Sequence, residues 1–192
     1  PVELEFRNDP WTGLTIKKVD AVDGHGLQGA VFKLYEGTST ETTKFLGDYV
    51  TNENGVVVIP ELESNQYYTV QEAQPPYGYF LDEEDNPQTI LIKPEALGEN
   101  MTIVFRNMPK PKLLITKIDA DTGEPLPGAV FRVSRRSTAE YVDVTTGPDG
   151  TYLLENMEED WYEVYELRSP TGYVTDDTHY DIELIAGETA EL

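Results

Sequence analysis

The chain repeats itself at an interval of about 99 residues, and this repeat limits the folds open to it more than any other feature. Residues 14–32 read LTIKKVDAVDGHGLQGAVF, and residues 113–131 read LLITKIDADTGEPLPGAVF. Further along, YTVQEAQPPYGY at 68–79 matches YEVYELRSPTGY at 162–173, where the offset drops because the second repeat has shorter loops. A repeat of this length predicts two related domains in tandem.

The two ends of the chain are out of phase with the repeat. LEFRN at 4–8 matches a later IVFRN, so residues 1–8 are predicted to be the last strand of a preceding repeat. Residues 9–108 are predicted to form one complete repeat. Residues 109–192 are predicted to form a second repeat that lacks the end of its last strand. The Pro109–Pro111 segment is typical of a short, semi-rigid link.

Most segments alternate between apolar and polar residues and lie between turn residues such as Asn54-Gly55. On the first such segment, Leu14, Ile16 and Lys18 share one face. No helix longer than a turn or two is expected, and the pattern predicts an all-β chain of tandem, immunoglobulin-like β-sandwich domains. The further predicted strands are Val31–Leu34, Val56–Ile59, Tyr67–Glu72, Thr89–Ile92 and Met101–Asn107, then Leu113–Ile118, Val130–Val133, Thr151–Leu154, Trp161–Leu167 and Tyr180–Ile185.

The composition excludes several classes of function. The chain carries 36 acidic and 14 basic residues, for a formal net charge of −22. Such a surface repels phosphate backbones and anionic lipids, so no nucleic-acid partner is expected. No apolar run approaches the ~18 residues that span a bilayer, so no membrane insertion is expected. The absence of cysteine excludes disulfides and thiolate chemistry, so an extracellular chain would need another source of robustness.

Metal and cofactor signals are weak. The acidic segments Asp82–Asn86 and Asp119–Asp121 lack the spacing of a calcium loop, and a solvated turn explains them better. His25 and His179 have no obvious metal partners. No phosphate-binding loop and no nucleophile elbow is present. We therefore expect no metal and no cofactor.

A set of short motifs recurs along the chain. They are Lys-x-Asp (Lys18 to Asp20, Lys117 to Asp119), Leu-x-Gly-Ala-Val-Phe (Leu27 to Phe32, Leu126 to Phe131), a glycine turn (Asn54-Gly55, Asp149-Gly150), Glu followed by Pro-x-Gly-Tyr (Glu72 with Pro76 to Tyr79, Glu166 with Pro170 to Tyr173), and a closing strand that ends in Asn. Over nearly the whole chain, this set resembles the B-type repeat domains of Gram-positive collagen adhesins. These are also called Cna B-type or prealbumin-like domains.

The resemblance implies prealbumin-like sandwiches in which a Lys and an Asn form an amide bond promoted by a buried Glu. The implied crosslink residues are Lys18, Asn107, Lys117 and Asn8, and the implied catalytic residues are Glu72 and Glu166. Lys18, Glu72 and Asn107 form the complete set, whereas Asn8 belongs to a preceding repeat or a neighbouring chain. Each domain would react once, so the chain is not expected to be an enzyme.

The residue types suit this chemistry. A lysine amine attacks an amide only when neutral, and a solvated lysine has a pKa of about 10.4. Burial lowers that pKa by up to 3–5 units, and Lys18 is expected to be buried beside Leu14 and Ile16. A buried Glu72 with a raised pKa is expected to stay protonated, hydrogen-bond the Asn107 carbonyl and pass a proton to the leaving nitrogen.

The leading functional interpretation is a structural stalk in an adhesin or pilus-like protein on the cell-wall-anchored, extracellular surface of a Gram-positive bacterium. Its partners would be other domains of the same surface protein. The alternative is a module that binds a host extracellular-matrix protein through the 35–49 loop or a sheet edge. A glycosidase ranks third, since it would need paired carboxylates in a cleft. No sorting signal and no Tyr-Pro-Lys pilin motif is visible.

The out-of-phase ends also predict a head-to-tail association. An open sheet edge in the second repeat is a template for another chain, and residues 2–8 (VELEFRN) are a spare strand. Their donation to a neighbour would place Asn8 near Lys117. The alternatives are that residues beyond 192 complete the second repeat, or that residues 1–8 trail as a flexible arm.

Overall fold

The computed structural model describes residues 12–41, 44–93 and 100–192. These residues form fourteen β-strands and no helix, so the predicted all-β class with two sandwich units is confirmed. The chain divides into these units between Met108 and Pro109. In the described part of the chain, no helix has the length and apolarity needed to cross a membrane. Asn8 and the predicted strand at 1–8 lie outside the described residues.

The first unit pairs a three-stranded sheet with a four-stranded sheet. Its strands are β1 (Thr12–Asp20), β2 (Val31–Glu36), β3 (Lys44–Val50), β4 (Val56–Leu62), β5 (Gln66–Gln74), β6 (Gln88–Ile92) and β7 (Met101–Asn107). The smaller sheet has the order β4-β1-β7, with β4 antiparallel and β7 parallel to β1. The larger sheet has the order β3-β2-β5-β6 and is antiparallel throughout.

The second unit repeats this topology. Its strands are β8 (Lys112–Thr116), β9 (Val130–Arg135), β10 (Tyr141–Thr145), β11 (Thr151–Leu154), β12 (Asp160–Arg168), β13 (His179–Leu184) and β14 (Thr189–Glu191). The smaller sheet has the order β11-β8-β14, with β14 parallel to β8, and the larger sheet has the order β10-β9-β12-β13. The repeat seen in the sequence is therefore a repeat of the fold.

The apolar faces predicted from alternation form the cores. On β1, Leu14, Ile16 and Lys18 are buried, whereas Lys17 between them is exposed. The ring centroids of Phe32 on β2 and Phe105 on β7 lie 4.8 Å apart, so these rings join the two sheets. The corresponding core of the second unit includes Leu113, Ile115, Phe131, Val133, Tyr162 and Val164.

Two strands were not predicted from the sequence. β3 and β10 each lie at one edge of a four-stranded sheet, and most of their side chains are partly or fully exposed. An edge strand with little burial on either face shows no clear alternation, which explains why the pattern missed both. The strands predicted within the described residues are all observed, with small shifts at their ends.

A buried threonine fixes the Leu-x-Gly-Ala-Val-Phe loop in each unit. The Thr51 hydroxyl donates to the Leu27 carbonyl at 2.7 Å and accepts from the Ala30 N–H at 3.0 Å. Thr146 makes the same two bonds in the second unit. These bonds satisfy main-chain groups that have no ladder partner, which accounts for the recurrence of this threonine.

The proline-rich segment at the division is bonded to the second unit. The Pro109 carbonyl accepts a hydrogen bond from Gly187 at 2.8 Å, and the Pro111 carbonyl accepts one from Met157 at 3.1 Å. Pro109–Pro111 therefore runs along the second unit, and these bonds limit its freedom as a link.

Candidate crosslinking site

Lys18, Glu72 and Asn107 meet in the interior of the first unit. Lys18 lies on β1 and Asn107 ends the neighbouring β7, whereas Glu72 lies on β5 of the opposite sheet. Lys18 Nζ donates to Glu72 Oε2 at 3.1 Å, and Asn107 Nδ2 donates to Glu72 Oε1 at 3.0 Å. One carboxyl group therefore contacts both nitrogen atoms that an amide transfer would exchange.

The interior makes this cluster unusual electrostatically. Lys18 is 0% exposed, and Glu72 and Asn107 are each 1% exposed. Burial lowers the pKa of Lys18, against the opposing effect of the Glu72 carboxylate. Burial also raises the pKa of Glu72, against the opposing effect of the Lys18 charge. Both shifts favour the uncharged pair, an amine and a carboxylic acid.

The other end of the Asn107 amide contacts the main chain. The Asp82 N–H donates to Asn107 Oδ1, with a nitrogen–oxygen distance of 3.3 Å. Since a main-chain N–H can only donate, the amide oxygen must face Asp82 and the amide nitrogen must face Glu72. The structure thus differs from the expectation that Glu72 contacts the asparagine carbonyl, because Asp82 takes that place.

A turn glycine fixes the main chain of each lysine. Lys18 N–H donates to the Gly55 carbonyl at 2.7 Å, and Gly55 has a φ of 72°. A Cβ on Gly55 would lie 2.3 Å from the Lys18 oxygen, so only glycine fits there. Gly150 has the same relation to Lys117, with a φ of 74°. The recurring Asn-Gly and Asp-Gly turns therefore support the lysine strand as well as the hairpin.

A tyrosine ties the loop after β5 to the end of β1. The Tyr79 hydroxyl donates to Asp20 Oδ2 at 2.9 Å, and Tyr173 donates to Asp119 Oδ2 at 2.8 Å. Burial, assisted by the Asp20 carboxylate, raises the pKa of Tyr79 to about 12. The pair was not predicted, although the joint recurrence of Lys-x-Asp and Pro-x-Gly-Tyr was a signal for it.

The second unit brings Lys117 and Glu166 together in the corresponding place. Lys117 Nζ lies 3.4 Å from Glu166 Oε2, and the two side chains are 20% and 1% exposed. Asp176 N–H donates to the same Oε2 at 2.8 Å. Glu166 Oε1 is buried and has no hydrogen-bond partner among the described residues. The pair therefore shares the position of the first site but not its full set of contacts.

A donated strand would meet β14 at this site. β14 lies beside β8 in parallel register, with Ala190 opposite Leu113. In the register that β7 takes on β1, Val2 of a donated 2–8 strand would also lie opposite Leu113. Donation of the whole segment therefore requires displacement of β14, and the head-to-tail association stays a prediction that depends on this exchange.

Asp20, Asp23 and His25 form a cluster at the end of β1, with ligand atoms within 4.8 Å of one another. His25 thus has acidic neighbours that the sequence did not reveal. Asp20 Oδ1 accepts bonds from Val22 and Asp23 N–H, and Oδ2 accepts the Tyr79 hydroxyl. These bonds make Asp20 a cap for the turn, so the cluster gives no reason to assign a metal.

The family described as the SpaA prealbumin-like fold domain matches residues 12–107 and residues 111–192. The chain belongs to this family. Each matched range corresponds to one sandwich unit, so both repeats are SpaA prealbumin-like domains, and the predicted resemblance is confirmed. No curated protein sequence matches the chain.

Several solved structures resemble the chain. The shaft pilin SpaA from Lactobacillus rhamnosus GG matches with a TM-score of 0.59 and 15% identity, over 94% of this chain and 96% of that one. A streptococcal ancillary pilin matches with a TM-score of 0.46 and 24% identity, over 94% and 61%. The Bacillus anthracis TIE protein matches with a TM-score of 0.45 and 25% identity, over 95% and 33%. The chain therefore spans 33% of the solved TIE chain and 61% of the solved ancillary pilin chain. The shaft pilin supports the fold.

Proposed function

We propose that Lys18 and Asn107 join in an intramolecular isopeptide bond promoted by Glu72. The observation that carries this proposal is the Glu72 carboxyl in contact with both nitrogen atoms. Neutral Lys18 Nζ attacks Asn107 Cγ, and the tetrahedral intermediate expels the amide nitrogen as ammonia. Glu72 gives one proton to the leaving nitrogen and receives one from Nζ, so it returns to its initial state.

The fold supplies the proximity that the reaction needs. β1 and β7 are paired in parallel from Leu14 to Asp20, which fixes Lys18 and Asn107 on neighbouring strands. Holding two reacting groups in contact lowers a barrier by roughly 7–11 kcal/mol relative to free encounter. Each domain reacts once, so the chain modifies itself and does not turn over a substrate.

Intact mass under denaturing conditions tests the bond. We expect a mass below that of the sequence by one ammonia, and a branched peptide containing Lys18 and Asn107 after digestion. Glu72→Gln keeps the side-chain size but cannot exchange the proton, so it is expected to fold at full mass. Glu61→Gln, at an exposed position on β4, is the matched control and is expected to form the bond, a step called closure below. Full mass in the unaltered chain would contradict the proposal.

Lys117 and Glu166 are the proposed lysine and glutamate of the same reaction in the second unit. The asparagine would come from a last strand, and Asn8 of a neighbouring chain is the candidate that the repeat supplies. A covalent ladder of chains on denaturing gels, lost in Asn8→Ala, would support the intermolecular bond. Monomers alone at high protein concentration would contradict it.

The proposed biological role is a stalk segment of an adhesin or pilus-like protein on a Gram-positive cell surface, anchored to the cell wall. Membership of the SpaA family, the tandem domains and the position of Lys18 and Asn107 on the first and last strands of the unit support this role. The expected partners are the other domains of the same protein.

Binding of a host matrix protein through the 35–49 region stays the alternative. That region includes the edge strand β3, whose free side faces away from β2. Binding of a matrix protein by this chain, lost when the β2–β3 connection is replaced, would favour the alternative over a pure spacer.

A further inference from the structure

We propose that the main-chain N–H of Asp82 is the oxyanion donor of the reaction between Lys18 and Asn107. This inference rests on the proposed function and adds a group that acts on the reacting carbonyl. The Asp82 nitrogen lies 3.3 Å from Asn107 Oδ1, the oxygen on which negative charge develops as Lys18 attacks. A donor already aimed at that oxygen stabilises the transition state without having to reorganise.

The geometry favours a main-chain group, and not Glu72, as the donor that stabilises the oxyanion. Both oxygens of Glu72 are engaged with nitrogen atoms, one with Lys18 and one with Asn107. The tetrahedral intermediate carries its negative charge in a buried site, where an unpaired charge costs several kcal/mol. The Asp82 N–H is the donor that the described residues place at this oxygen, so the proton exchange and the charge stabilisation fall to different groups.

The second unit supports the assignment independently. Asp176 follows Tyr173 at the distance at which Asp82 follows Tyr79. Asp176 N–H also points into its site, where it donates to Glu166 Oε2 at 2.8 Å. In both units the loop after Pro-x-Gly-Tyr therefore directs one main-chain N–H at a buried oxygen of the reacting cluster. Such recurrence indicates a feature of the site and not an incidental loop contact.

The loop that carries Asp82 is held in a fixed frame. Asn86 bonds both main-chain groups of Glu72, accepting from its N–H at 2.8 Å and donating to its carbonyl at 2.9 Å. The Asp82 carboxylate accepts bonds from the N–H groups of Glu84 and Asp85. The side chain of Asp82 thus serves the turn, while its N–H faces the reacting amide.

Replacement of Asp82 by its α-hydroxy acid tests the proposal in the full chain, because it exchanges one N–H for an oxygen. The chain is made by cell-free translation, and closure is followed over time by intact mass. Loss of one oxyanion donor typically slows a reaction by roughly 100- to 1,000-fold, and we expect slowing of that order. The matched control is the α-hydroxy acid of Glu84, whose N–H donates to Asp82 Oδ1. It is expected to close at nearly the unaltered rate.

Additional variants and a protease assay distinguish the proposal from its alternatives. Asp82→Asn keeps both the N–H and the turn oxygen, so it is expected to close normally, and its failure to close would assign the role to the carboxylate. An Asp82 ester that closes slowly but resists protease like the Glu84 ester supports the proposal. Closure at the unaltered rate, equal slowing of both esters, or loss of protease resistance overturns it. An unaltered chain that loses no ammonia would instead defeat the isopeptide bond itself.

Discussion

The two units place the same lysine and glutamate at the same point of the same fold, yet the two sites differ in burial. In the first, Lys18 is fully buried and its carboxylate partner contacts Asn107. In the second, Lys117 is one-fifth exposed and its Nζ lies farther from the carboxylate of Glu166. Glu166 Oε1 has no hydrogen-bond partner among the described residues. The lysine and glutamate positions alone therefore do not make the dry site that the chemistry needs.

The last strand covers a different length of the lysine strand in the two units. β7 lies beside β1 as far as Asp20, so it covers Lys18 and brings Asn107 to Glu72. The β14 ladder on β8 reaches Leu114 and does not include Lys117. In the first unit, the strand that carries Asn107 therefore also covers Lys18, and burial lowers the pKa of Lys18.

The largest expected effect is mechanical. A bond between Lys18 and Asn107 bridges 89 residues (107 − 18), which force applied to the ends of the chain cannot extend. Lys18→Met removes the bond and is expected to add an extension of about 300 Å when the first unit unfolds, at ~3.3–3.6 Å per residue. Single-molecule pulling measures this step.

The matched variant for this experiment is Lys117→Met, which alters the equivalent strand end of the second unit. It is expected to leave the extension of the first unit unchanged. A full-length unfolding step from the first unit of the unaltered chain would break the comparison.

Replacing the lysine is expected to destabilise the first unit more than the second. By analogy with a disulfide, closing a loop of 89 residues stabilises by roughly 4–5 kcal/mol. Lys18→Met is expected to reduce the free energy of unfolding of the first unit by about that amount. Lys117→Met should cost the second unit less, because its ion pair is longer and partly solvated. Denaturant unfolding followed by circular dichroism tests this, and equal losses would contradict it.

The pH dependence of the rate of bond formation tests the role of burial in the first unit. Burial lowers the pKa of Lys18 and raises that of Glu72, so the pair carrying a single proton includes the reactive amine and acid. A second proton blocks the amine, and removal of the only proton leaves none for ammonia. The rate should therefore rise and then fall with pH, with its rising limb below the ordinary lysine pKa of about 10.4.

A chain with photocaged Lys18 allows this measurement. It is uncaged in urea and refolded by dilution at each pH, with closure followed by intact mass and folding by circular dichroism. A rate of bond formation that rises steadily up to the pH at which a free lysine loses its proton would contradict a buried, neutral pair.

The smallest expected effect concerns the two tyrosine ties. Tyr79→Phe removes a hydrogen bond to the buried Asp20, and a bond to a charged group contributes about 1.5–3 kcal/mol. Tyr173→Phe removes the equivalent bond to Asp119, and because Tyr173 is itself exposed, a smaller loss is expected. Thermal unfolding of both variants ranks the two losses, and a larger loss from Tyr173→Phe would break the comparison.

The sequence predicted much of the fold because its evidence is local. Alternation marked the core strands, and glycine turns marked their ends. The alternation pattern did not predict the edge strands β3 and β10, because neither face of these strands is well buried. The resemblance to a known family implied Lys18, Glu72 and Asn107 as a set, and the structure brings these three side chains into contact.

What the sequence by itself determined is the repeat and the strand class, and its resemblance to a known family supplied the candidate side chains. Only the tertiary structure decided which atoms meet. The Asp82 N–H at the Asn107 oxygen could not be read from the chain, because every residue except proline carries such a group. Its direction depends on a loop tied to Glu72 by Asn86, and on a last strand laid beside the first. Contacts between residues so far apart along the chain arise only when the sheets pack.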